Sequence, residues 1–172
     1  MSKLLIFFSL LLFCKVSFAD CSKAKDSSRI VVAGGSITEI LFFLNESKNI
    51  VAVDTTSNFP KEAKKLPSIG YVRALSAEGV LSLNPTLIIG ESDMGPENVL
   101  QQLRKTQIEL KILDEKNSIK GIEEKILCIA NILGKEKINV LAENNDFEKN
   151  VRNLKMASKI NSKKNIKGLV IL

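Results

Sequence analysis

The sequence predicts an α/β lobe built on a parallel sheet. Short, almost uninterrupted apolar runs stand at residues 30–33, 50–53, 87–89 and 110–113, and stretches of helical texture alternate with them. Glycine, proline, serine or aspartate marks nearly every junction between the two kinds of segment. Strands that are apolar on both sides are buried between two layers, which is the situation of parallel strands joined by helical crossovers.

Taken in order, the first strand (30–33) runs into Gly34-Gly35-Ser36, and a helix is expected from about Ile37 to Leu44 with Thr38 and Glu39 in its first turn. The second strand (50–53) breaks at Asp54, where the polar loop Thr55-Thr56-Ser57-Asn58 leads to Pro60. A short extended piece precedes Tyr71. Ser76 then caps a helix reaching about Leu83, which must stop before Pro85. Strand 87–89, helix 96–105 and strand 110–113 complete a Rossmann-like lobe over residues 29–117.

Residues 118–161 form a helical segment. Ile119, Ile122, Ile126, Ile129 and Leu133 recur at helical spacing up to Gly134, a good helix stop. From Lys135 to about Asn161 there is no proline or glycine, and the charges of Lys137, Glu143, Asp146, Glu148, Lys149, Arg152 and Lys155 are scattered, the pattern of a long solvated helix. The apolar stretch within 166–172, Gly168 to Leu172, reads as a buried strand with no partner. An isolated strand exposes both edges, so it is expected to open a second α/β lobe that is missing from the chain.

Residues 1–19 read as a secretory signal peptide. Lys3 supplies the charged start, residues 4–13 the apolar run, and Ser17-Phe18-Ala19 the small residues before a cut. The run ends at Lys15, short of the ~20 residues that span a membrane. Cys21 lies just past the cut, but Asp20 before it suits lipid attachment poorly. Cys21 and Cys128 are far apart and in no metal-like spacing. An oxidising compartment allows them to pair, although a half-buried free Cys128 on a helix is the more ordinary use.

Catalysis finds little support. The chain has no histidine, no cysteine with a base beside it and no triad order among its Ser and Asp residues. The Gly34-Gly35-Ser36 turn lacks dinucleotide-binding spacing, although the Gly35 and Ser36 N–H groups at a helix start suit a ligand carboxylate. The net charge of +6 is spread among acids instead of forming a basic stripe, and few aromatics are available to stack, which argues against nucleic acid. An anionic ligand, an anionic membrane surface or simply a lysine-rich solvated face accounts for it. The single tyrosine, Tyr71, has two ordinary uses: packing with a wet hydroxyl, or giving a ferric ion an oxygen ligand with Arg73 nearby to stabilise the phenolate. Along an extended segment the two side chains point the same way.

Three segments, VVAGGSITEILFFL, IVAVDTTSNFP and GYVRALSAEGVLSLNPTLII, resemble in order and spacing the periplasmic haem-binding proteins that feed ABC-type haem importers. These belong to the cobalamin and siderophore type of substrate-binding protein, and the resemblance runs from Arg29 to Leu172. It implies two lobes joined by a long helix, haem as the transported ligand, an inner-membrane ABC permease as partner, and a monomer when complete. It makes Tyr71 the axial iron ligand and Arg73 the residue holding the phenolate or a propionate. Gly35, Ser36, Thr55, Thr56, Ser92, Asp93 and Met94 are expected on the ligand-facing loops, and Glu78 at the permease dock. A receptor for cobalamin or a ferric siderophore would share the fold without needing Tyr71. A truncated remnant that binds nothing is the other alternative.

Overall fold

Ile30 and Val32 face one side of the central sheet while Val31 and Ala33 face the other, and all four are fully buried. That two-sided burial is what the uninterrupted apolar runs predicted. In the computed structural model, which describes residues 20–135, the elements are β1 (Ile30–Ala33), α1 (Gly35–Phe43), β2 (Ile50–Val53), α2 (Ala77–Leu81), β3 (Leu87–Glu91), α3 (Glu97–Arg104), β4 (Glu109–Leu113) and α4 (Ile119–Ile132). The four strands are parallel in the order β2-β1-β3-β4. The signal peptide, the long helix expected after Lys135 and the strand within 166–172 lie outside the described residues.

Helices α1 and α4 cover the face that holds Ile30, Val32, Leu87, Ile89 and Leu113; Ile37, Leu41, Ile126 and Ile129 fill that layer. The opposite face, with Val31, Ala33, Ala52 and Ile88, packs under α2 and α3 through Val80, Val99, Leu100 and Leu103. Burying each of the valine, isoleucine and leucine side chains among these contributes roughly 1.5–3 kcal/mol. Because the chain leaves β1 toward β2 on one side and returns to β3 on the other, the sheet has a switch point at the carboxyl ends of β1 and β3, where loops diverge and leave a crevice.

Three elements begin or end away from the expected residues, α2 among them, since it stops at Leu81 and not at about Leu83. Helix α1 starts at Gly35, earlier than expected, because Gly34 turns the chain with φ of 146°. Strand β3 runs on through Gly90 and Glu91, which pair with Ile112 and Leu113 of β4, and glycine is needed at 90 because a side chain there would collide with the Met94 sulfur folded over it. The predicted Ser76 cap forms, its hydroxyl accepting from the Gly79 amide at 3.3 Å; at the start of α4 the Ser118 hydroxyl, not among the expected caps, accepts from the Gly121 amide at 3.0 Å.

Cys128 is not free. It is bonded to Cys21, and the segment around Cys21 is strapped over one end of the sheet. The Ala24 amide donates to the Ile132 carbonyl (2.8 Å), Asn131 Nδ2 to the Cys21 carbonyl (2.7 Å) and the Lys25 amide to Glu109 (2.9 Å). Beneath the strap lies Lys111, whose side chain is only 2% exposed and whose ammonium meets Asp20 (2.7 Å), Ser22 (2.9 Å) and Glu109 (3.0 Å). Burial alone would lower its pKa, but the two carboxylates outweigh burial and hold it above the usual lysine value. A Cys21 in this bond has no thiol left to carry a lipid.

Candidate functional site

Four stretches converge at the carboxyl ends of the strands: the β1–α1 turn, the loop after β2, the turn around Tyr71 and the β3–α3 loop. Asp54 ties the first two together. Its buried carboxylate accepts from the Gly34 amide (3.0 Å), Ser57 Oγ (2.8 Å), the Thr56 amide (2.9 Å) and Thr56 Oγ1 (2.5 Å). Four donors satisfy both oxygens, so a charge that would be costly to bury alone is well held.

Tyr71 is carried on a turn, not on the extended segment expected. Residues 67–70 run alongside the end of β2, with Ile69 N donating to the Val53 carbonyl and Thr55 N to the Gly70 carbonyl, each at 2.9 Å. The chain then folds back, and the Ala74 amide donates to the Tyr71 carbonyl at 2.8 Å. Gly95 N to the Val72 carbonyl and Leu75 N to the Gly95 carbonyl, both 2.9 Å, pin the turn to the β3–α3 loop. Val72 and Leu75 are buried in the core. Tyr71 and Arg73, on either side of Val72, therefore both face out, Tyr71 being 47% exposed. The expected common side is reached by a different backbone.

Arg73 is engaged by Asp93, which accepts from Nε and from Nη2 at 2.8 Å each on the same oxygen. This hydrogen bond, and after it the nearby Tyr71, raise the guanidinium's pKa above its ordinary value. Asp93 thus reaches the site through Arg73. Ser92 and Thr55 are exposed on the rim.

The remaining expected residues sort differently. Met94 is buried in the core against Gly90 and is a packing residue, because its loop folds back onto the sheet. The Thr56 hydroxyl is taken by Asp54. Gly35 packs against the Thr56 carbonyl. The Ser36 hydroxyl donates to Glu91 Oε1 at 2.5 Å and accepts from Lys125 Nζ at 2.6 Å, so the corner expected to receive a ligand carboxylate already contains the protein's own. Glu78 is exposed in the first turn of α2, with no side-chain partner among the described residues. Sequence reasoning passed over Phe59, which is 65% exposed in the loop after β2. The available signal was a large aromatic placed in an otherwise polar loop.

Among the described residues no group of three His, Cys, Asp or Glu side chains is placed to hold a metal ion, and no helix is long and apolar enough to cross a membrane. The arrangement offers one exposed phenol, a fixed guanidinium and an exposed ring on a stiff frame.

Residues 30–164 match the periplasmic binding protein family. The chain belongs to that family. Among solved structures it is similar to the periplasmic heme-binding protein RhuT from Roseiflexus sp. RS-1 in apo form, with 44% identity and a TM-score of 0.60 over 63% of this chain and 42% of that one. It is also similar to the periplasmic heme-binding protein HutB of Vibrio cholerae, with 36% identity and a TM-score of 0.63 over 74% of this chain and 48% of that one. A curated relative, the vitamin B12-binding protein of Pectobacterium carotovorum, is 30% identical over 88 residues, 51% of this chain and 32% of its own length. The chain therefore spans about a third to a half of the proteins it matches. The α/β lobe expected from the sequence is the part of the periplasmic binding fold that these matches share.

Proposed function

We propose that this chain is the haem-gripping lobe of a periplasmic substrate-binding protein that delivers haem to an inner-membrane ABC permease and performs no reaction of its own. The observation that carries the reading is the placement of the only tyrosine in the sequence, half exposed on a turn pinned from two sides, with Arg73 held next to it by Asp93. A phenolate is a hard oxygen donor suited to ferric haem. The adjacent guanidinium offers N–H donors to an oxygen at the same place. Phe59 supplies an apolar ring of the kind a porphyrin face packs against. The heme-binding names of the two solved relatives support the same ligand. Export through residues 1–19 and docking through the unpaired carboxylate of Glu78 complete the proposal.

Titrating the purified chain with hemin tests it. The bound form should show a high-spin ferric spectrum with a charge-transfer band that Tyr71→Phe abolishes, because the ring stays while the donor oxygen goes. Unchanged spectrum and affinity in the variant would remove Tyr71 from the role. The curated relative's name favours a second reading, a cobalamin receptor, which saturable binding of cyanocobalamin that survives Tyr71→Phe would support.

A further inference from the structure

Glu91, the last residue of β3, and Ser36, in the first turn of α1, meet Lys125 of α4 at the carboxyl end of the sheet. Lys125 Nζ donates to Ser36 Oγ (2.6 Å) and to Glu91 Oε1 (3.0 Å), and the same carboxylate oxygen accepts from Ser36 Oγ (2.5 Å). The Lys125 side chain is 9% exposed and that of Glu91 14%. Gly34 is shaped for this cluster: a Cβ there would stand 2.7 Å from Glu91 Cγ and Cδ, so the carboxylate arm lies directly on the glycine. The cluster sits on the α1/α4 side of the strand ends, because Glu91 continues the alternation of Leu87 and Ile89. Tyr71 and Arg73 flank Val72, which belongs to the opposite layer.

Without Glu91 this corner would be strongly attractive to anions. It combines a buried ammonium, a hydroxyl and the amide-bearing start of α1. With Glu91 in place the charge is cancelled from within. We propose that Glu91 is a specificity-determining residue that neutralises the enclosed Lys125 and so denies this corner to a ligand carboxylate, leaving the acidic edge of the ligand to Arg73, where Asp93 takes only one edge of an exposed guanidinium and leaves further N–H donors facing solvent. The inference rests on the haem reading, since a porphyrin with two propionates is the ligand whose orientation such a charge pattern sets.

The test compares dissociation constants for hemin and for hemin dimethyl ester, which lacks the two carboxylates, in the wild-type chain, Glu91→Gln, Lys125→Gln and the double variant. Glu91→Gln, which leaves the ammonium uncancelled, should raise the preference for the diacid about tenfold, the scale of one unit charge at about 10 Å in a medium of effective dielectric ~20. Lys125→Gln, which leaves the carboxylate uncancelled, should shift the preference toward the ester. The double variant should return to the wild-type ratio. If Glu91→Gln fails to fold, judged by circular dichroism, the opposite-sign shift in Lys125→Gln and its cancellation in the double variant still decide. One ratio shared by all folded variants, or shifts of the same sign in both single variants, overturns the proposal. A wild-type chain that binds neither porphyrin overturns the haem reading instead.

Discussion

Asp93, from the β3–α3 loop, holds Arg73 side-on, taking Nε and Nη2 on one carboxylate oxygen at 2.8 Å each, and so fixes a cation on the same turn as the exposed Tyr71. Long side chains lose entropy when ordered, and here the order is supplied before any ligand arrives. Asp93→Ala should therefore weaken hemin binding several-fold and alter the spectrum of the bound form. The melting temperature should be unchanged, because the pair is exposed. An unaltered spectrum and affinity would show that Arg73 needs no anchor.

Phe59 makes a separate prediction. A ring left 65% exposed adds little to folding, so Phe59→Ala should leave the unfolding midpoint within error. If it packs against a bound porphyrin, losing about 50–60 Å² of apolar contact at ~25 cal/mol per Å² lowers affinity about tenfold. Equal affinities measured by fluorescence quenching would place Phe59 outside the binding surface.

The positions of strands and helices were legible because apolar period and turn chemistry are local properties. Ile30 to Ala33 can be read as a buried strand with no knowledge of what covers it. What escaped was long-range. The Tyr71 turn is set by a backbone bond from the Gly95 amide to the Val72 carbonyl, and Met94, although it belongs to a ligand-side loop, is folded by that loop into the core. Lys125 has the sequence appearance of a solvated helix lysine; only its meeting with Glu91 and Ser36, far away in the chain, makes it a largely enclosed one. The Cys21–Cys128 bond joins residues 107 apart, and no spacing rule reaches that far.

That bond carries the third prediction. Closing a loop of about 100 residues stabilises the native state by up to about 4.7 kcal/mol through the unfolded chain. Cys128→Ser should lower the urea midpoint accordingly and loosen the strap over Lys111. Acetylation footprinting should find Lys111 protected in the oxidised wild type and reactive in the variant. A Lys111 that stays unreactive would mean the ion pairs alone hold the strap down.

Those ion pairs also set how the lobe responds to acid. Lys111 and Ser22 hold the Asp20 carboxyl far below the usual carboxylate range, and the Lys25 amide, against a smaller cost of burial, lowers that of Glu109. An unfolded chain takes up protons on these groups at about pH 4, before the folded chain does, so stability rises with pH through that window. Their contribution is complete above the unfolded carboxylate pKa values and is lost as the pH falls through the folded ones. Lys111 works in the other direction: its contribution is present at neutral pH and is lost only as the pH rises past the lysine range. Urea midpoints measured from about pH 3 to about pH 8 should therefore fall steeply below about pH 5 for the wild type. Asp20→Asn removes one of the shifted carboxyls while keeping its size, so it should lower the neutral plateau and flatten the acid limb. Midpoints that fall in parallel with the wild type at every pH would show that Asp20 contributes no pH-dependent stability and that its contact with Lys111 is only a surface pairing.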